Sequence, residues 1–149
     1  MKKTILLGIL FTLLGAYVGH YLYTNNSLQD VFNEKKTYYF LQEGVYSSKD
    51  IMTENVKDIN NKLVVEADDK FYVYVGITKD IDISKKIKDI YEDEGYQIYE
   101  KEMSLNNSEF DANLDQFDLL IKNSNDKEDI LTVEGVVLAN YEEIIQNNK

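Results

Sequence analysis

Residues 38–103 lay down one small unit twice, and this repeat constrains the fold more than any other feature of the chain. Tyr38-Tyr39-Phe40-Leu41-Gln42-Glu43-Gly44-Val45-Tyr46-Ser47-Ser48-Lys49-Asp50 reads as a strand that ends in a glycine turn and opens a helix. Phe71-Tyr72-Val73-Tyr74-Val75-Gly76-Ile77-Thr78-Lys79-Asp80 repeats the pattern, with Gly76 32 positions after Gly44. Self-similarity at a fixed offset marks a supersecondary unit used more than once. Two such units predict an α+β domain, βαββαβ in order. It would hold a four-stranded antiparallel sheet with two helices on one face, leaving the other face free to bind something.

The punctuation agrees with this order. Ser47 or Ser48 is placed to cap the first helix, whose apolar face is Ile51, Met52, Val56 and Ile59. Leu63-Val64-Val65 is a short strand, and Ala67-Asp68-Asp69-Lys70 turns it back into strand 71–77. Asp82 is the expected cap of the second helix, with Ile83, Ile87, Ile90 and Tyr91 inward and Gly95 as its left-handed stop. Residues 97–103 close the sheet as an edge strand.

Strand side chains alternate between faces, so the pattern also assigns each face. Val73, Val75, Leu41 and Val45 should point at the helices. Phe40, Gln42, Gly44, Tyr46, Tyr72, Tyr74 and Gly76 should then point away. Glu43 breaks the alternation, which predicts a strand end or a bulge there. The outward set is rich in flat, amphipathic rings. Tyrosine rings stack on sugar C–H bonds while their hydroxyls make hydrogen bonds. The same rings also suit a protein-docking face, or packing beneath other elements of the chain.

Ahead of the repeat, Met1-Lys2-Lys3 precedes an apolar run from Thr4 to Tyr23. Twenty residues at about 1.5 Å each span a bilayer core of about 30 Å. The expectation is an anchor over 1–23 with its amino terminus in the cytoplasm, and a tether over 24–36. A cleaved signal peptide is the alternative, although no good small-x-small site or lipobox cysteine is present. Both readings export the remainder. His20, the only histidine, lies inside this segment and is read as interfacial and neutral.

Composition narrows the partners. The net charge is −11, and all 16 basic residues are lysine. An acidic surface gains nothing from counterion release, so nucleic acid is excluded as a natural partner. The sequence has no cysteine, hence no disulfide framework or thiolate metal site. No HExxH, P-loop, calcium loop or nucleophile–base set is visible. Among 27 acidic residues, no carboxylate pair is singled out for glycan hydrolysis. The chain is therefore read as a non-enzyme without metal or cofactor.

The Gln42-x-Gly44-x-Tyr46-Ser47 run resembles the opening signature of the sporulation-related repeat, or SPOR, domain. Phe71-Tyr72-Val73-Tyr74-Val75-Gly76 is similar to that family's second, aromatic-rich strand, and residues 37–103 match its element order. The resemblance implies a ferredoxin-like fold that binds peptidoglycan glycan strands denuded of their stem peptides. It further implies a bitopic membrane protein of the bacterial cell envelope, recruited during cell division or sporulation. Carried over residue by residue, it implicates Gln42, Tyr46, Ser47, Tyr72 and Tyr74 in sugar contact. The chain departs from the family in having Tyr72 where arginine is frequent, and Gly76-Ile77-Thr78 where Gly-Pro-Phe is frequent. Lys62, Lys70, Lys79 and Lys101 are the cations nearest to the assigned face.

Residues 104–149 follow as a helical hairpin. Phe110, Leu114, Phe117, Leu120 and Ile121 form one stripe. Ile130, Val133, Val137, Tyr141 and Ile144 form the other. Neither short helix can bury its stripe alone, so the pair must pack on the domain, on another copy, or on an envelope protein. Glu128, Asp129 and Glu134 read as a solvated charge cluster.

Overall fold

A computed structural model describes residues 36–147. The predicted anchor over 1–23 lies outside the described residues, as does the tether up to residue 35. Within them, no helix is long and apolar enough to cross a membrane. The elements run β1 (Lys36–Tyr46), α1 (Lys49–Asn55), β2 (Leu63–Ala67), β3 (Lys70–Thr78), α2 (Ile81–Asp93), β4 (Tyr99–Leu105), α3 (Ser108–Asn123) and α4 (Lys127–Asn147). Over these residues the fold is α+β, with one four-stranded antiparallel sheet in the order β2-β3-β1-β4 and four helices.

Local chemistry sets these boundaries. Ser48 caps α1 through its side-chain oxygen, which accepts from the Ile51 amide. The α2 cap is Asp80 rather than Asp82, because its Oδ1 accepts from the amides of both Asp82 and Ile83. Gly95 follows α2 with φ +94°, a conformation costly for any residue carrying a Cβ. Asp68 and Asp69 both take positive φ, closing a two-residue hairpin between β2 and β3.

Two cores lie on opposite sides of the sheet. On the α1–α2 side, Leu41, Val73 and Val75 meet Met52, Val56, Ile83, Ile87 and Tyr91. On the other side, Tyr38, Phe40, Tyr74 and Ile77 meet Phe110 and Leu114 of α3 and Val137 and Leu138 of α4. The C-terminal hairpin therefore docks on the domain, and the face expected to be free is covered. Of the residues expected inside the helix stripes, Ile51 and Leu120 are exposed, and Ile90, Phe117, Val133, Tyr141 and Ile144 are half-buried.

The central strands carry two irregularities. Between Leu41 and Gln42 the β3 partner moves from Gly76 to Tyr74, leaving Val75 unmatched. Between Gln42 and Gly44 it moves only from Tyr74 to Val73, leaving Glu43 unmatched. Glu43 thus sits at a bulge, as its break in the pattern predicts. A bulge re-aims the residues that follow it. Beyond Glu43 the faces exchange, so Tyr46 packs with the α1–α2 core and Val45 emerges, 42% exposed, on the other face. Gly76 also turns toward the helices. A Cβ there would stand 2.8 Å from Leu41 Cδ1 and 3.2 Å from Ile87 Cγ2, so only glycine fits without displacement.

Candidate functional site

The sheet face under the hairpin can be followed rung by rung. Phe40 pairs with Ile77 and Lys101, and Gln42 pairs with Tyr74 and Tyr99. Tyr74 continues the second rung to Leu63, and the next rung joins Val45, Tyr72 and Val65. The first rung is sealed by α3 and α4: Tyr141 lies edge-on to Phe40 at 5.2 Å, and Phe40 lies edge-on to Tyr74 at 5.5 Å. Phe110 joins Tyr141 at 5.2 Å. Such ring pairs each add about 0.5–1.5 kcal/mol beyond the area they bury.

The cover thins at the second rung. Tyr74 is 9% exposed and Gln42 is 5% exposed, whereas Tyr99 beside Gln42 is 49% exposed. Tyr72 and Val65 on the third rung are half-buried, and Val45 is open. Lys101 is exposed two residues from Tyr99, on the same face. The Gln42 Oε1 is buried without a hydrogen-bond partner among the described residues. An unmatched buried acceptor costs about 1–3 kcal/mol, so a donor arriving at this position is favoured.

Of the five residues assigned from the sequence, the sheet brings Gln42, Tyr72 and Tyr74 onto one face. Tyr46 is on the opposite face, where its ring lies over Gly44 and its hydroxyl donates to the Glu43 carboxylate at 2.8 and 3.0 Å. Burial and that carboxylate push its hydroxyl up to about 12. Ser47 is exposed beyond the end of β1. Tyr99, Val45 and Lys101 complete the uncovered strip. Tyr99 could have been assigned from the β4 alternation, since Tyr99, Lys101 and Met103 share one face.

The hairpin is fastened by carboxylates. Asp111 of α3 accepts from Lys36, from Lys79 at 2.8 Å and from the Tyr38 hydroxyl at 3.0 Å. Burial opposes its ionisation, but those three donors outweigh it and hold the carboxyl at about 2. Asp118 accepts from the Thr78 hydroxyl at 2.7 Å and the Lys79 amide at 3.0 Å. Burial still raises its pKa. Glu134 of α4, read from the sequence as solvated, is 0% exposed. Its Oε2 accepts from the Ile77 amide at 3.1 Å, and its Oε1 has no partner among the described residues.

These contacts have a backbone cause. Pairing of β2 with β3 stops at Tyr74, so β3 continues to Thr78 with no strand among the described residues on that side. Glu134 and Asp118 supply acceptors to Ile77 and Lys79, two amides that β2 is too short to reach.

A groove of about 460 Å³ between α2 and α3 is lined by Tyr39, Lys79, Asp80, Asp115, Asp118 and Lys122. Its lysines are already matched: Lys79 by Asp111 and Asp115, and Lys122 by Asp80. Among the described residues, no cluster of acidic or histidine side chains is arranged to hold a metal ion. Comparison with family models, curated proteins and solved structures gave no match.

Proposed function

We propose that this is a membrane-anchored protein of the bacterial cell envelope whose ferredoxin-like, SPOR-like domain binds denuded peptidoglycan glycan strands. Its place would be cell division or sporulation, with the anchor holding one end at the membrane and the glycan the other. The βαββαβ order and the β2-β3-β1-β4 arrangement support the ferredoxin-like reading.

The observation that carries the ligand class is the buried, unmatched Gln42 carboxamide oxygen beside the half-exposed Tyr99 ring. A sugar offers hydroxyl donors to that oxygen and C–H faces to Tyr99 and Tyr72. A muramic acid stripped of its peptide carries a lactyl carboxylate, which Lys101 at the rim would receive. Tyr74 and Phe40 lie deeper, beneath the hairpin.

The test is co-sedimentation of the full chain, in mild detergent, with amidase-stripped sacculi. Gln42→Ala, Tyr99→Ala and Lys101→Glu should each weaken retention by about tenfold, the equivalent of about 1.4 kcal/mol. Ile51→Ala, on the opposite side of the domain, should leave it unchanged. Equal retention of all four variants would remove the strip as the glycan site.

A second reading is a scaffold that docks an envelope protein. Leu119 and Leu120 favour it, being adjacent and 57% and 56% exposed on α3. Loss of a cross-linked partner in Leu120→Glu, with glycan retention intact, would select it.

A further inference from the structure

The joint between α4 and the sheet is built in a way that a permanent core is not. Glu134 lies on the apolar stripe of α4, four residues after Ile130 and three before Val137, and is completely buried. Among the described residues it has one amide donor for its two oxygens. Asp118 faces it from α3 as a like charge, and Tyr91 faces it from α2 as a second group that ionises to an anion. On β3 it meets the Ile77 amide and Gly76, whose Cβ position lies 3.4 Å from its Oε2. Lys79 on the same strand is bound by Asp111 and Asp115. A carboxylate ion here would be fully desolvated without a cation, whereas the neutral acid leaves only one hydroxyl unmatched, which is the smaller cost.

We infer that the α3–α4 hairpin is a pH-released cover of the aromatic sheet face, latched by the protonated carboxyl of Glu134 and opened when that proton is lost to water. The inference rests on the reading that this face is the binding surface, and it supplies the regulation of that surface. Burial, together with the Asp118 charge, holds Glu134 well above the ordinary carboxylate range against the single amide bond from Ile77. A group raised in the docked state stabilises docking below its ordinary value, and the contribution disappears as pH rises through the docked value. The cover is therefore closed in acid and opens toward alkaline pH. Opening uncovers Tyr38, Phe40 and Tyr74 and joins them to the exposed Tyr99–Tyr72 strip. It also returns the Glu134 carboxylate to water.

The experiment is hydrogen exchange on the full chain in detergent micelles, reading α3–α4 protection relative to α2 in the same sample. That ratio cancels the chemical effect of pH on exchange. From about pH 5 to about pH 9 the ratio should fall about tenfold or more in the wild type, as local opening becomes cheaper. In Glu134→Gln, which cannot ionise, the ratio should stay level. A level ratio in the wild type, or an equal fall in Glu134→Gln, overturns the inference.

A cross-link provides a second arm. Asn61 and Gly135 touch, since a Cβ on Gly135 would lie 2.8 Å from Asn61 Cγ, and the chain has no cysteine of its own. Oxidised Asn61→Cys/Gly135→Cys protein should lose the pH response and regain it on reduction. A response that persists in the oxidised form refutes an opening hinged on α4.

Stripped sacculi then separate the two claims. Alkaline retention that rises in the wild type but not in the oxidised protein supports both. Opening by exchange with no retention at either pH keeps the cover and discards the glycan reading.

Discussion

Asp111→Asn isolates the charge that fastens α3 to the sheet. The side chain keeps its shape but can no longer attract both Lys36 and Lys79, and it retains one acceptor oxygen instead of two. In the folded protein the Asp111 carboxyl is lowered from 3.8 to about 2, with burial opposing and the Lys36, Lys79 and Tyr38 donors prevailing. That lowering is worth about 2–3 kcal/mol of stability at neutral pH. Since the folded value is depressed, this contribution is fully present above 3.8 and is lost as pH falls through about 2. The wild-type carboxylate is nearly buried, so solvent screening takes little of it. The assay is urea unfolding of wild type and variant across acid and neutral pH. The gap between them should be about 2–3 kcal/mol at neutral pH and should close by most of that amount near pH 2. Any defect from shape alone is independent of pH, so a gap of constant size would refute the electrostatic account.

Two further substitutions test the backbone of the domain. Gly76→Ala forces a methyl against Leu41 in the packed core and should cost about 1–3 kcal/mol in chemical denaturation. Combining it with Leu41→Ala should cost less than the sum of the two, because the second change vacates the space the first requires. Gly95→Ala meets nothing within 4 Å, so its loss of about 1 kcal/mol comes from the +94° backbone angle alone. Gly95→Asn should lose less, and a thermal shift would rank the three residues.

The repeat made the element order legible because glycine, capping residues and period-two alternation are local signals. Val73, Val75 and Leu41 went to the helix side as the alternation requires. Alternation stopped being a guide at the bulges. Glu43 marks one of them, but alternation read straight through it places Tyr46 and Val45 on the wrong faces. Val75 announced nothing, since an unmatched valine in an apolar strand looks like any other. The hairpin stripes are legible too, whereas the apolar spacing alone says nothing of the carboxylates inside them. Asp111 and Asp118 flank Leu114 at helical spacing, and Glu134 falls between Ile130 and Val137. An acid on an apolar stripe marks a backbone amide or lysine waiting across the interface. Here it marks the length of β3 that β2 leaves uncovered. That shortfall is tertiary, and no local pattern reports it.

The most direct test of the central claim uses the wild-type full chain and one set of sacculi, divided before and after amidase removal of the stem peptides. The account predicts retention that rises on the stripped preparation and falls again when soluble denuded glycan strands compete. Equal retention on both preparations, or none on either, would contradict recognition of the bare glycan.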